Sequence, residues 1–411
     1  MKSTNFKAWL ISYTLALFFL ITLLFIFHQI IYDYNAYPNQ ISSMKDVEQY
    51  TTLFKKKYYS TNYGEPNFIP LGFYIQTFLF KDPNTVLLSG YLWLKYPKNL
   101  ITKNSDIKVD FPEAISPGYI EKTYDVDEGD YRLIGWRFTG LTLYESFDYS
   151  LYPLDQQIVW IKTRSKELEK NIIYTPDLPS YKSTSPYDLF GLNNNTTVFE
   201  YDIKESYFQY GVDTASNDTS LGFNDFSVLS SPSLFFNIVV ERNFVNPLIL
   251  HMMPIMVIWS ILFGLTMVMT PDVDKSKALG ASTSGMLTSL AGLFFAVVIA
   301  NLNLRSKFIG QPSTYMEFVY FLTYVIIFLL VLNVHFISPS GRCVPFILAW
   351  RNNLLPRIIY WPIILGALLL VTLYKFPDRI FNGSSDNHRA QSEAKKTQIG
   401  SYEYIELVPK N

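Results

Sequence analysis

The sequence is short of cysteine, histidine and charge. Its 411 residues include one cysteine, Cys343, which excludes an intrachain disulfide framework and a cysteine-based metal site. Because His28, His251, His335 and His388 occur singly, no histidine metal cluster is expected. Only 17% of the residues are charged, whereas about a quarter are charged in soluble proteins. With 34 basic and 35 acidic residues, the chain is not a polycation, which excludes a nucleic-acid-coating protein.

Long apolar runs are present instead. A helix needs about 20 apolar residues to cross a bilayer, and five runs reach that length. They are Trp9–Ile31, Pro247–Thr270, Ala278–Ala300, Glu317–Ile337 and Ile358–Phe376. The sequence therefore predicts an N-terminal anchor helix (1–32), a polar domain (33–246), a four-helix transmembrane domain (247–377) and a polar C-terminal tail (378–411).

Positive charges near the helix ends predict the orientation. The segment Ser338–Arg357 carries Arg342, Arg351 and Arg357 and no acidic residue, so it is expected in the cytoplasm. The polar domain and the tail then lie outside the cytoplasm, in a multi-pass protein of the cytoplasmic (inner) membrane. The polar composition of the tail predicts poor order. The first run is longer than a signal-peptide core and no small-residue cleavage site follows it, which favours an uncleaved anchor over a long signal peptide.

The polar domain has the pattern of β structure. Alternating residues and β-formers, separated by Gly, Pro, Asn and Asp turns, predict six strands. They are Phe68–Phe80, Val86–Tyr96, Tyr131–Tyr144, Gln157–Lys162, Val198–Tyr210 and Leu234–Arg242. These short strands indicate an extracytoplasmic antiparallel β-sandwich, with one helix expected near Met44–Lys57. The run Asp125–Asp130 lacks the ligand spacing of an EF-hand, which favours a hairpin turn over a calcium site.

Several motifs between Asn67 and Phe376 carry a family resemblance. The most specific is Phe147–Gln157, whose Tyr-Pro-Leu-Asp sequence is similar to a Tyr/Phe-Pro-x-Asp turn that faces the membrane. The segment Val239–Asn243, followed by Asn246-Pro247, resembles a last strand that runs into a first channel helix, and Pro254 matches a mid-helix proline. The family is the pentameric ligand-gated ion channels, or Cys-loop receptor superfamily. The cysteine pair is absent, as in bacterial members, and the N-terminal helix is an addition.

The resemblance implies a homopentamer whose β-sandwich ring binds a ligand and opens a central pore, lined by the second helix of the transmembrane domain. The implied partners are other copies of the chain, membrane lipid, permeating inorganic ions and an unidentified small molecule or proton; no cofactor, metal or nucleic acid is expected. Catalytic triads, phosphate-binding glycine loops and zinc-protease motifs do not occur in the sequence, so an enzyme is not expected. The alternative is a non-conducting sensor or adaptor of the same fold that signals through its N-terminal helix.

The run Ala278–Ala300 is unusual for a lipid-facing helix because hydroxyl side chains and glycines recur along it. Such residues face protein or water, so the run either lines the pore or forms a tightly packed small-residue interface. If Leu287-Thr288 matches the family's mid-pore Leu-Thr pair, large apolar side chains that form hydrophobic constrictions are among the residues that face the lumen. Those residues are Gly280, Ser284, Leu287, Ala291 and Phe294. A rotated helix would instead direct inward the stripe Ala278, Ser282, Gly285, Ser289 and Gly292.

Charged residues at five positions match those that connect the ligand domain to the pore in the family. They are Asp82, Asp155, Arg242, Arg305 and Lys307. Partly desolvated charges are suited to coupling two states, whereas the alternative is a set of solvated interface charges with little individual effect. At the cytoplasmic end of the pore helix, Asp272, Asp274, Lys275 and Lys277 mix both signs, so the sequence favours neither cations nor anions.

Aromatic residues are candidates for ligand binding, because the family binds agonists in an inter-subunit aromatic box that suits ammonium groups by cation–π attraction. Tyr91 matches the box aromatic of the second strand. Tyr207, Tyr210, Phe223 and Phe226 flank a hairpin, residues 211–231, that resembles the family's capping loop. Because 17% of the chain is aromatic, core packing is the alternative for each of them.

Overall fold

A computed structural model of the chain describes residues 2–32, 39–58, 65–98, 109–166, 172–213, 232–280, 282–337, 353–377 and 402–404. The chain divides into two units. The helical unit comprises Met1–Asn35, Asp148–Asp155 and Asn243–Asn387, and the β unit comprises Ala36–Phe147, Gln156–Arg242 and His388–Asn411. The turn at residues 148–155 and the C-terminal segment are therefore grouped apart from their neighbours in sequence.

The strands of the β unit form two sheets. They are β1 (Asn67–Asp82), β2 (Thr85–Pro97), β3 (Val109–Asp110), β4 (Ala114–Ser116), β5 (Tyr119–Glu128), β6 (Tyr131–Tyr144), β7 (Gln156–Ser165), β8 (Ile172–Pro176), β9 (Tyr201–Asp213), β10 (Ser233–Arg242) and β11 (Tyr402–Tyr404). The first sheet has the order β4-β6-β2-β1-β8, and β5 also pairs with β6; the second has the order β11-β9-β10-β7-β3. The pairing of β1 with β8 is parallel, and the other pairings are antiparallel.

Side chains from both sheets share an aromatic core. In β2, buried residues alternate with half-exposed ones from Val86 onward, as a strand with one buried face requires. Phe73 of β1 stacks on Phe236 of β10 with 5.7 Å between ring centroids, and Phe208 of β9 lies 5.0 Å from Phe236. All six strands predicted from the sequence are present. The hairpin interpretation of the acidic run is also confirmed, because β5 and β6 are joined at Gly129, which has φ +60°.

One helix and one C-terminal strand complete the β unit. Helix α2 (Met44–Tyr58) matches the helix predicted there, and Tyr50 and Phe54 pack on Tyr210 with centroid distances of 5.1 and 4.9 Å. Strand β11 pairs with residues 211–213 at the edge of the second sheet, so part of the tail that was expected to be poorly ordered is a strand. Because edge strands pair through backbone groups, the polar composition of the tail gave no sign of it.

Within the described residues, the helical unit contains five helices that are long and apolar enough to cross a membrane. Its helices are α1 (Lys2–Tyr32), α3 (Val245–Val268), α4 (Val273–Ala278), α5 (Thr283–Lys307), α6 (Tyr315–Ile337) and α7 (Leu354–Lys375), of which α4 is short. Each of the five predicted apolar runs is therefore a helix. The third begins at Thr283 instead of Ala278, because a turn at Gly280, with φ +64°, interrupts the run.

Polar side chains join the apolar helices. The indole nitrogen of Trp259 in α3 donates to Thr323 of α6 at 3.0 Å, and the Tyr360 hydroxyl of α7 donates to the Trp259 carbonyl at 2.7 Å. Arg357 donates to the carbonyls of Thr266 and Met269, which lie at the C-terminal end of α3 and have no partner within the helix. Hydrogen bonds of this kind hold transmembrane helices together where lipid offers no partner.

Glu145, directly after β6, gives a prediction about the stability of the β unit. Its carboxylate is buried and accepts the Trp160 backbone N–H at 3.2 and 3.3 Å. Burial raises the pKa of Glu145 well above its usual range, the Trp160 hydrogen bond opposes this effect, and the charge of Glu113 adds to it. The protonated carboxyl therefore fits the folded state better, and its contribution to stability is lost as the pH rises through the folded-state pKa.

We accordingly expect Glu145→Gln to stabilise the protein at about pH 8 by roughly 1–3 kcal/mol, because the amide keeps an acceptor for Trp160 without a buried charge. The gain should shrink toward pH 4.5, the unperturbed value for glutamate, where the wild-type carboxyl is protonated. Thermal unfolding of the purified protein in detergent over this pH range measures the effect. An equal change in melting temperature at both pH values would contradict it.

Candidate functional site

Helix α5 packs within the helical unit along one narrow stripe. Leu290, Val297 and Leu304, spaced by seven residues, are buried against the unit. An α-helix has 3.6 residues per turn, so the side of α5 opposite this stripe carries Thr288, Gly292, Phe295, Ile299 and Leu302. We call this side the open face. Phe295, Ile299 and Leu302 are exposed by 63%, 59% and 62%. Within the described residues, the open face is therefore left uncovered.

The residues predicted to line the pore lie beside the open face. Leu287 and Phe294 are 38% and 41% exposed, and the Phe294 ring lies 5.7 Å from the Tyr324 ring of α6. Ser284 and Ala291 are exposed on the same flank of the helix. Gly280 is not part of the helical stripe, because its positive φ places it in the turn before α5 begins; its place in the pore stays a prediction.

Two members of the rotated alternative stripe also precede α5. Ala278 ends α4, and Ser282 is the N-cap of α5, whose hydroxyl accepts the Gly285 N–H at 3.0 Å. Farther along, the Thr288 and Ser289 hydroxyls donate to helix carbonyls four residues earlier, each at 3.0 Å. Hydroxyl groups that are satisfied within the helix in this way face a poorly hydrated space at little cost.

Opposite charges lie close together before α5. Asp272 caps α4 by accepting the Lys275 backbone N–H at 3.3 Å, and its carboxylate lies 3.0 Å from the Lys275 ammonium group. The hydrogen bond from Lys275 lowers the pKa of Asp272 below its usual range. This pairing offsets the acidic charge that precedes α5.

The turn Asp148–Asp155 docks on the helical unit. The backbone N–H groups of Tyr315 and Met316, the first residues of α6, donate to the carbonyls of Ser150 and Tyr152 at 2.8 and 3.2 Å. The first N–H groups of a helix have no acceptor within that helix. The turn therefore satisfies the first two N–H groups of α6, and the Thr314 hydroxyl accepts the third, from Glu317, at 3.2 Å.

Aromatic rings connect the same turn to the C-terminal end of α5. Tyr149 and Tyr152 each lie 4.9 Å, between ring centroids, from Phe308, which directly follows α5. The Tyr152 ring also lies 6.1 Å from the His251 ring of α3. The sequence motif identified the turn, but Phe308 and Tyr315 were missed because nothing in the motif indicates which helix residues receive it.

Three of the charged residues predicted for coupling lie in the helical unit. Asp155 ends the turn and is only 1% exposed. Arg305 of α5 lies 3.5 Å from Glu317 of α6, which also accepts the Thr314 N–H at 2.7 Å. Lys307 is exposed. The Arg305–Glu317 pair, of which Glu317 was not predicted, therefore joins the C-terminal end of α5 to the beginning of α6.

The other two coupling candidates lie in the β unit. Arg242, the last residue of β10, lies 2.8 Å from the Glu200 carboxylate and 4.4 Å from the centroid of the Tyr201 ring. Asp82 is exposed and accepts the Asn84 N–H at 2.9 Å in the β1–β2 turn. Arg242 thus has an acidic partner within its own unit that the sequence did not reveal.

The candidate ligand residues differ in their accessibility. Tyr207 and Tyr210 are fully buried in the β unit, and the Tyr210 hydroxyl donates to the Tyr174 carbonyl at 2.9 Å. This burial favours the core-packing alternative for both residues, and their role in ligand binding stays a prediction. Phe223 and Phe226 lie outside the described residues.

Tyr91 is partly exposed and belongs to an aromatic patch. Alternate residues of a strand point to the same side, so Trp93 lies beside Tyr91 on β2. A Cβ atom on Gly72 would lie 2.2 Å from the Trp93 ring, and one on Gly135 would lie 2.1 Å from the Tyr124 ring. The two glycines therefore let Trp93 and Tyr124 lie flat on the first sheet. Tyr91, Trp93 and Tyr124 together form what we call the aromatic patch.

A buried carboxylate holds one edge of the aromatic patch. Asp177 accepts the Trp93 indole N–H at 2.8 Å and lies 2.9 Å from the Lys95 ammonium group. Burial, followed by the charge of Asp177 and then Tyr91, raises the pKa of Tyr124 above its usual value. The patch therefore presents neutral ring faces. Strand alternation could have identified Trp93, whereas Tyr124 and Asp177 come from distant segments.

The described residues contain no group of three or more His, Cys, Asp or Glu side chains that could hold a metal ion. The features on which a function can rest are thus the open face of α5, the docked turn and the aromatic patch. No protein-family model matches the sequence, and no curated protein sequence matches it.

Proposed function

We propose that the protein is a pentameric ligand-gated ion channel of a cytoplasmic membrane, with α5 lining a central pore. The open face of α5 carries the proposal, because it presents a hydroxyl group and a glycine beside large apolar residues. A transmembrane helix gains nothing by presenting hydroxyl groups and glycines to lipid. A closed ring of identical copies would cover the flanks of each α5 and direct every open face toward one axis.

The proposed architecture is an extracytoplasmic β-sandwich followed by the four-helix bundle α3, α5, α6 and α7, with α1 as an additional span. The aromatic core shared by the two sheets supports the sandwich, and the hydrogen bonds among α3, α6 and α7 support the bundle. Arg357 lies in the first turn of α7, so the end of α7 that was predicted to be cytoplasmic carries a positive charge.

The proposed gate is a ring of Phe295 side chains, extended by Ile299 and Leu302. A narrow apolar ring makes a continuous column of water unfavourable without filling the lumen. Thr288 and Gly292 would form the wetter part of the same pore. In the register derived from the Leu287-Thr288 match, the constrictions would instead be rings of Leu287 and Phe294, with Ser284 and Ala291 also in the lumen.

The proposed signal begins at the β unit and ends at α5. The aromatic patch suits an ammonium ligand by cation–π attraction, and neighbouring subunits would complete the binding site. The turn Asp148–Asp155 continues directly into β7, so a rearrangement of that strand is passed to the turn. That turn contacts the Phe308 ring and accepts hydrogen bonds from the first residues of α6. Asp155, Arg242 and Asp82 remain proposed coupling residues, together with Arg305 and Lys307.

Current measurements on purified protein in planar bilayers test the proposal. The stimuli are pH values from about 4 to 8 and a panel of primary and quaternary amines, chosen for their cation–π attraction to aromatic rings. We expect discrete unitary currents, and their reversal potential in asymmetric KCl will give the charge selectivity. We would reject a channel and favour the non-conducting sensor if two results were obtained together. These are no current under any stimulus and no current from a variant in which the gate residue Phe295 is replaced by serine.

The proposed topology predicts the side on which the C-terminal segment lies. Four spans separate the β unit from that segment, and β11 pairs with β9 of the same unit, so both should be extracytoplasmic. In a Cys343→Ser background, Ser385→Cys should react with a membrane-impermeant maleimide added to spheroplasts. Native Cys343 is the control and should react only after permeabilisation. The opposite labelling pattern would contradict the orientation.

A further inference from the structure

We infer that α1 is a permanent fifth helix of each subunit, docked along α7, and that through Phe27 and Tyr315 it holds the turn Asp148–Asp155 on α6. The inference concerns contacts within the helical unit. Its consequence for gating rests on the proposed channel function, whereas the contacts themselves do not. Three observations carry it: a buried stripe on α1, a parallel pairing with α7, and the position of Tyr315.

Helix α1 buries one stripe and exposes the rest. The buried residues are spaced by four, seven, three and four positions, as expected for a helix that packs along another helix. They are Ser12, Ala16, Leu23, Ile26 and Ile30. Phe18 and Phe25, by contrast, are each 61% exposed. A helix that served only as an export signal or lipid anchor would not need such a stripe.

The stripe lies against α7, and the two helices run parallel. The Ser12 hydroxyl donates to the Ile358 carbonyl near the beginning of α7. Two turns farther along, a Cβ atom on Gly366 would lie 3.2 Å from the Phe19 ring, so the glycine admits that ring. The paired positions increase together along both helices. Lys7 and Arg357 are consequently at corresponding helix ends, as the excess of positive charge on one side of the membrane requires.

Tyr315 connects α1 to the turn. Its ring is fully buried and lies edge-on to Phe27 of α1, with 6.5 Å between ring centroids. Its hydroxyl lies 3.0 Å from the Thr372 hydroxyl of α7, and its backbone N–H donates to the Ser150 carbonyl at 2.8 Å. One residue therefore contacts α1, α7 and the turn. Displacement of α1 should loosen Tyr315 and weaken its hydrogen bond to the turn.

Hydrogen–deuterium exchange of the Tyr315 and Met316 amides tests this link without any need for conduction. Both amides donate to carbonyls of the turn, so their exchange reports how long the turn stays docked. Phe27→Ala removes the ring that supports Tyr315 and should accelerate exchange roughly three- to tenfold. Phe25→Ala, on the exposed side of α1, is the matched control and should leave exchange unchanged. Equal exchange in the two variants would overturn the inference.

A second pair of variants tests the docking of α1 on α7. Gly366→Leu places a side chain where the Phe19 ring lies, whereas nothing lies within 4 Å of a Cβ atom at Gly264 of α3, so Gly264→Leu is the control. Only Gly366→Leu should accelerate exchange at Tyr315. Mass spectrometry of the purified wild-type protein should detect the α1 segment, because α1 is retained. A shorter mature chain that lacks α1, or unchanged exchange in Gly366→Leu, would overturn the inference.

Current recordings separate this inference from the channel proposal. If the protein conducts, Phe27→Ala should change the fraction of open channels at rest roughly three- to tenfold relative to Phe25→Ala. Accelerated exchange in a protein that never conducts would support the docking of α1 and contradict the channel. Normal currents in both variants, with equal exchange, would overturn the role of α1 and leave the channel proposal standing.

Discussion

Replacing Phe295 with serine is expected to produce a channel that conducts without a stimulus. In the proposed pore, five Phe295 rings form the dry constriction, and five hydroxyl groups in their place would let water fill it. We expect the resting conductance to rise at least about tenfold, which corresponds to about 1.4 kcal/mol in favour of the conducting state. Ion flux from proteoliposomes measures this without knowledge of the ligand.

The adjacent residue provides the control. The Phe294 ring packs near Tyr324 of α6, so Phe294→Ser should lower the melting temperature of the assembly without producing the leak. If Phe294→Ser or Leu287→Ser leaks while Phe295→Ser remains closed, the register derived from the Leu287-Thr288 match is the better one. That result would leave the channel proposal intact, whereas the absence of a leak in all three variants would contradict it.

Single cysteines in a Cys343→Ser background determine the register independently. A thiol reagent added from the aqueous side should modify cysteines at Thr288 and Ile299 on the open face. In the register based on Leu287, the reactive positions are Ser284 and Ala291, and in the rotated alternative they are Gly285 and Ser289. Modification slowed by a permeant ion or blocker identifies residues in the lumen, which distinguishes them from residues that face a neighbouring subunit.

The strands and the apolar helices could be predicted from the sequence because each has a local signal. Alternation in β2 and the length of the apolar runs depend only on neighbouring residues. The beginning of α5 was misplaced because Ala278 and its neighbours are small or apolar. Hydropathy contains no signal for the turn at Gly280 or the helix cap at Ser282, so the apolar run alone places the beginning of the helix too early in the chain.

The rotation of α5 could not be derived from its sequence. Small residues, hydroxyl groups and apolar residues occur all around the helix, so no stripe is unique until the packed residues Leu290 and Val297 are known. The burial of two ligand candidates could not be derived for a similar reason. Tyr207 and Tyr210 lie beside a hairpin in the sequence, but their burial depends on α2 and on strands that are distant in the chain. Tertiary contacts decide both questions.

The turn Asp148–Asp155 shows how a motif can identify a site without identifying its partners. The Tyr-Pro-Leu-Asp sequence pointed to the turn, and its position in the helical unit agrees with a role at the membrane-facing end. Its contacts with the helices involve Phe308 and Tyr315, which are ordinary aromatic residues in a chain rich in them. Coupling in the proposed channel therefore involves packed rings and helix-capping hydrogen bonds as well as the charges that the sequence suggested.

Removal of the Phe308 ring is expected to have the second large effect. Phe308 is buried and supports the rings of both Tyr149 and Tyr152, so Phe308→Ala should destabilise the helical unit by about 3–5 kcal/mol. Ile309→Ala changes an adjacent residue that is 76% exposed and should have little effect. Thermal unfolding of the purified assemblies measures the difference.

Current recordings of Phe308→Ala test the role of the turn in gating. In the double variant Phe295→Ser/Phe308→Ala, the leak should persist, because the open pore no longer needs a signal from the turn. In Phe308→Ala alone, the response to any active stimulus from the bilayer screen should be lost. A full response in Phe308→Ala would show that the turn does not transmit the signal through this ring.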